Sequence, residues 1–229
     1  MAEAHKSPRP NGARRVARRR DGETVSGTPA QGRELRAQGR KTMARLLDAG
    51  LRVFAERGYH AARVDDIVRS ARTSHGTFYL YFANKEDLLR ALAVECAREM
   101  DALAEHLGPI GPDREGYEEL RRFLSGFVAT YRNYGPVIRA WMEGHVEDRD
   151  VSNLGVKAFT GIATAFGRRM HEAGGRGDQV SISALMAMLE RFAYFFVSRR
   201  LEFDDARMLD TVAHIVHRGF FRAPLSATR

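Results

Sequence analysis

Apolar side chains return at three- and four-residue intervals along most of the chain, and the two-residue alternation of a half-buried strand persists nowhere. Met43, Leu46, Leu47, Gly50, Leu51 and Phe54 form one face of a helix over about Lys41 to Arg57, and Gly58 closes it as a C-cap glycine. A short helix over Val64 to Ala71 carries Val64, Ile67 and Val68 on one side, with Asp65 and Asp66 favourably placed in its first turn. A second short helix runs from Ser74, its predicted N-cap, to Phe82 and turns Phe78 and Phe82 inward. Asn84 opens a longer helix with Leu88, Leu89, Leu92, Cys96, Met100 and Leu103, broken at Gly108-Pro109-Ile110-Gly111-Pro112. Helices follow over Tyr117 to Tyr134, Pro136 to Glu147, Asn153 to Ala173, Ser181 to Arg199 and Asp205 to Phe221, with a glycine-rich loop at Gly174 to Asp178. The fold class is all-α.

Charge changes this picture mainly at one end. The net charge of +8 suits a polyanionic partner, but residues 1–40 hold ten Lys or Arg against four Asp or Glu, which leaves +2 for the rest. Residues 1–38 have few large apolar side chains and read as a disordered basic tail, either a solvated one or an arm that follows phosphates. An alternative reading continues the first helix backward through Glu34 to Arg40. The single cysteine, Cys96, excludes an internal disulfide and a multi-cysteine zinc site. No run approaches the roughly 18 apolar residues of a membrane span, and no apolar segment follows the N-terminal arginines as an export signal requires. A cytoplasmic protein with no membrane attachment is expected.

The stretch from Arg63 to Leu89 carries the chemistry. Two short helices joined by a tight turn, the second exposing hydroxyls, an imidazole and phenols, suit insertion into a DNA major groove. The blocks FAERGY (Phe54 to Tyr59), VDDI (Val64 to Ile67), TSHGTFYLYF (Thr73 to Phe82) and NKEDLL (Asn84 to Leu89), in this order, resemble the DNA-binding domain of the TetR/AcrR family of one-component regulators. Two positions depart from the family pattern: Arg72 stands where the turn usually has Gly, and Arg63 where a Thr or Ser usually precedes the helix. The resemblance implies a three-helix DNA-binding domain over residues 39–92 and a helical ligand-binding and dimerisation domain over 93–223. It assigns Tyr79, Tyr81, Lys85 and Thr42 to phosphates and sugar, and places Ser74, His75 and Thr77 nearest base edges, with Thr73 alongside and Arg63, Arg69 and Arg72 helping. The recognition helix has no Arg, Lys, Asn or Gln, so readout leans on thymine methyls, single hydrogen bonds and DNA shape.

The resemblance also implies a homodimer on a palindromic double-stranded operator, paired through the last two helices, whose apolar stripes are wide. It implies release by a small, largely apolar effector and, most often, repression. Phe123, Phe127, Trp141, Met142, Phe159, Phe166, Met186 and Tyr194 supply the aromatic and sulfur side chains of an adaptable pocket. An enzyme is not expected: His171-Glu172 lacks the second His of a zinc protease at Gly175, and no nucleophile elbow or phosphate loop occurs. No cofactor or metal is expected. Competing readings are a DNA-coating architectural protein and a helical small-molecule-binding module without DNA function.

Overall fold

The computed structural model describes residues 37–142, 148–175, 177–198 and 204–221, which form eight helices and no strand. They are α1 (Ala37–Arg57), α2 (Val64–Ser70), α3 (His75–Tyr81), α4 (Lys85–Glu105), α5 (Arg114–Met142), α6 (Arg149–Glu172), α7 (Gln179–Ser198) and α8 (Asp205–Phe220). The basic tail up to residue 36 lies outside the described residues. Ala37 and Gln38, assigned to the tail, are helical.

α1 buries Leu46, Leu47, Val53 and Phe54. It ends at Gly58, whose N–H donates to the Phe54 carbonyl at 3.0 Å with φ +74°, a backbone that costs glycine nothing. α2 and α3 pack Ile67, Val68 and Phe78 against α1 and the start of α4. α4 then runs on beyond this N-terminal unit with Leu92, Ala93, Cys96, Ala97 and Met100 buried, so one rigid rod joins it to the other helices. α6 lies along α4, α8 packs on α5, and α7 fits against α5 and α6.

Two expectations need correction. The helices expected over Tyr117 to Tyr134 and Pro136 to Glu147 are one 29-residue helix, interrupted where Tyr134 leaves helical geometry at φ −114°, ψ 17°. Pro136 removes a backbone donor and crowds the preceding turn, which bends the helix without ending it. α6 starts at Arg149, four residues before the expected Asn153, because Asp148 caps it by accepting from the N–H groups of Asp150 and Val151. Residues 143–147 lie outside the described ones.

The hydropathy of α7 also exceeds what uninterrupted runs suggest. Gln179–Val197 has a mean hydropathy of 1.5 and is long and apolar enough to cross a membrane by those measures. Glu190 and Arg191 sit within it, and Leu185, Leu189 and Ala193 are buried in the core. Its other side and that of α8 remain open, with Val180, Phe195 and Ile215 exposed. That is a helix with one face docked and one apolar face uncovered.

Candidate functional site

The turn between α2 and α3 is built from backbone hydrogen bonds. Arg72 N–H donates to Arg69 and Thr73 N–H to Val68, at 3.2 and 3.0 Å, the paired bonds of a Schellman ending. The residue that closes it is Arg72, at φ 51°, the one non-glycine residue with positive φ among those described. The turn therefore keeps a glycine conformation without a glycine. At the other departure, Arg63 occupies the N-cap of α2 and its side chain makes no capping bond.

Ser74 caps α3 as expected, its hydroxyl accepting from Thr77 N–H at 3.1 Å and lying 3.0 Å from the Thr77 hydroxyl. Asn84 caps α4 through Asp87 N–H at 2.8 Å. The Asp87 carboxylate reaches back to Ala83 N–H, one residue before the cap. These caps hold α3 at a fixed tilt over Phe78 and Phe82, which are fully buried. The large side chains that α3 shows to solvent include Tyr79, 55% exposed, and Leu80, 65% exposed, beside His75 at its start. Tyr81 is half-buried against the core, and Thr73 and Thr77 are half-buried. Leu80 was not singled out in the sequence, although a large apolar side chain between two phenols on so short a helix is itself a signal.

Three other site residues have partners within the protein. His75 Nε2 lies 2.6 Å from Asp65 Oδ1 of α2. Lys85 donates from Nζ to the carbonyls of Tyr59, His60 and Ala62, each at 3.1 Å, and sits 4.8 Å from the centre of the Tyr59 ring. Its three ammonium protons therefore hold the α1–α2 connection, a structural role that the expected phosphate contact had not included. Thr42 lies in the second turn of α1, because the helix begins at Ala37, and its hydroxyl donates to Gln38 carbonyl at 3.1 Å. Among the expected arginines, Arg69 pairs with Asp66 at 3.3 Å, while Arg63 and Arg72 are exposed.

A cavity of about 480 Å³ lies between the end of α5, α6 and α7. Trp141, Met142, Phe159 and Met186 line it together, with Ile182 and Glu190. The Trp141 ring rests on Gly155, where a Cβ would stand 2.6 Å from its Cγ. The indole N–H is buried without an acceptor among the described residues, an arrangement that ordinarily costs roughly 1–3 kcal/mol. Phe123, Phe127 and Phe166 lie elsewhere, as an aromatic core. Phe123 meets Phe166 edge to face at 4.8 Å and stacks with Phe127 at 6.2 Å. Tyr194 lies under the Arg191 guanidinium, 5.3 Å from its ring centre. Half of the expected pocket set thus gathers in one place. Glu190 was missed, because one acid in an apolar helix reads as a gap in the stripe.

α4 links the two regions through Arg90, whose guanidinium pairs with Asp87 at 3.4 Å and with Asp148, the cap of α6. The same Asp148 carboxyl is held below the ordinary carboxylate range, first by Arg90 and then by the capping N–H groups.

Residues 46–92 match the family model of bacterial regulatory proteins, tetR family. These residues are a tetR-family DNA-binding domain. The chain is 45% identical over 58 residues to the fatty acid metabolism regulator protein of Bacillus subtilis (strain 168), a stretch that covers 25% of the chain and 30% of that relative. The matched part is thus under a third of the relative's length. A tetR-family regulatory protein from Rhodococcus RHA1 superposes with a TM-score of 0.65 at 19% identity, over 80% of this chain and 99% of that one. The regulator FadR from Bacillus subtilis in complex with stearoyl-CoA gives a TM-score of 0.57 at 17% identity, over 80% and 99% of the two chains. At such identity these structures establish the shared fold alone. The sequence likeness is concentrated in the DNA-binding unit, and the tetR-family fold extends through the remaining helices.

Proposed function

We propose that this chain is a sequence-specific DNA-binding transcriptional regulator of the cytoplasm, working as a homodimer and released from a palindromic operator by a small, largely apolar ligand. The observation that carries the reading is α3: capped by Ser74, seated on Phe78 and Phe82, and presenting Tyr79 and Leu80 outward. A phenol beside a leucyl side chain matches phosphate oxygens and thymine methyls better than guanine edges. The domain partition follows the same reading, residues 39–92 meeting DNA and 93–223 sensing and pairing. The uncovered apolar faces of α7 and α8 support pairing through these helices, which sets two α3 copies about one helical turn of DNA apart.

The cavity beside Trp141 is the effector site in this reading, and the stearoyl-CoA bound by the Bacillus subtilis FadR supports an apolar chain as a ligand this fold can take. Repression follows if operator binding blocks a promoter. Selection of bound sequences from a random DNA pool, followed by mass measurement of the complex, tests the reading. The expected result is an inverted repeat bound by an even number of chains. A monomer with no preference between selected and scrambled DNA overturns it.

A further inference from the structure

The cavity between α5, α6 and α7 is apolar over most of its wall but carries, among the described residues, the carboxylate of Glu190. Trp141, Met142, Phe159, Ile182 and Met186 supply the apolar surface, and Glu190 joins them from the second half of α7, only 7% exposed. Its carboxylate accepts from the Tyr131 hydroxyl at 3.3 Å. Arg191, the next residue, comes no closer than 3.9 Å and its side chain is largely in solvent. An exposed guanidinium at that distance compensates a buried carboxylate weakly. The aromatic face of Trp141 on the same wall attracts cations through its electron-rich ring.

We propose that this cavity selects an apolar organic cation, such as an alkyl- or aryl-substituted ammonium ion, with its positive charge toward Glu190 and its body against Trp141, Phe159 and the methionines. The inference rests on reading the cavity as the effector site and narrows the class of ligand. A long acyl chain satisfies the apolar wall equally well, but the phosphates of an acyl-CoA carry the wrong sign of charge for Glu190.

Two rigid ions of nearly equal size and opposite charge, tetraphenylphosphonium and tetraphenylborate, separate charge from shape. Trp141 is the single tryptophan, so its fluorescence reports the cavity wall directly. Titration of the full chain without DNA is expected to show the cation binding at least about ten-fold tighter than the anion. Glu190→Gln, which keeps the shape and an acceptor for Tyr131, is expected to bring the two within about two-fold. Equal or tighter binding of the anion, no response of Trp141 to either ion, or an unchanged ratio in folded Glu190→Gln overturns the proposal. If that variant does not fold by circular dichroism, the ratio in the unaltered protein decides. DNA binding is measured separately without either ion, so failure of the regulator reading appears there and failure of charge selection appears only in the fluorescence.

Discussion

His75 Nε2 sits 2.6 Å from the Asp65 carboxylate, tying the first residue of α3 to the first turn of α2. Both side chains are more than half exposed, so the pair contributes little to stability, under about 1 kcal/mol. Its effect falls on binding, because it puts a negative charge beside the helix proposed to approach phosphates. Asp65→Asn is expected to tighten DNA binding about three- to ten-fold at low salt, with the gain shrinking as salt rises. Fluorescence anisotropy at two salt concentrations checks this, and weaker binding by the variant contradicts it.

The ammonium of Lys85 holds three carbonyls that belong to one connection, and no other side chain presents three donors at a point. Lys85→Met is expected to lower stability by about 1–2 kcal/mol, and Lys85→Arg to recover little of it, since a planar guanidinium cannot reproduce the arrangement. Urea unfolding of both variants decides. Full stability in Lys85→Met would return this residue to a purely DNA-facing role.

Arg72 sustains a left-handed backbone that costs a non-glycine residue roughly 1–2 kcal/mol. Arg72→Gly removes that strain but gains unfolded-chain entropy, so the net stabilisation is expected near 0.5 kcal/mol. The lost charge is expected to weaken DNA binding on all sequences alike. A rise in melting temperature with a smaller salt dependence of binding is the expected pair of results.

Arg90 joins the start of α4 to the cap of α6, one side of which lines the cavity. Arg90→Ala is expected to leave effector binding near its original strength while the effector's influence on DNA affinity falls at least about three-fold. Binding of DNA with and without a saturating effector measures that coupling. An unchanged coupling rules this link out.

Burial, and then the Glu190 carboxylate, pushes the Tyr131 phenol well above its ordinary value of 10.0. Burial and then Glu99 do the same to Tyr134. The folded protein therefore keeps protons that the unfolded chain releases near pH 10. Their contribution to stability is complete below that pH and declines as pH rises beyond it. Tyr131→Phe is expected to flatten the fall in urea midpoint between pH 9 and 11.

Features decided by near neighbours were legible in the chain. Ser74, Asn84 and Gly58 act within four residues of themselves, and their caps stand where the local pattern put them. Lys85 was harder to read because its partners lie 23 to 26 residues away. The helix expected from about Lys41 is already formed at Ala37, which puts Thr42 within it rather than at its start. Trp141, Met142, Phe159 and Met186 share a cavity because the end of α5 meets α6 and α7 there, whereas Phe123, Phe127 and Phe166, chemically indistinguishable in sequence, fill the core. Composition carries no information about which aromatic meets a void.

The interruption of α5 at Tyr134 gives that helix two mechanically separate parts. The part after it touches the N-terminal unit through Pro136, Arg139 and Ala140, which face Tyr59 and His60, and reaches the cavity with Trp141, the next residue. The bend aims the last two turns away from the longer part that packs on α8, with Val137 and Ile138 buried to hold that direction. A guest leaning on the indole would then bear on the connection whose carbonyls Lys85 grips, a second route for the signal that does not run along the length of α4.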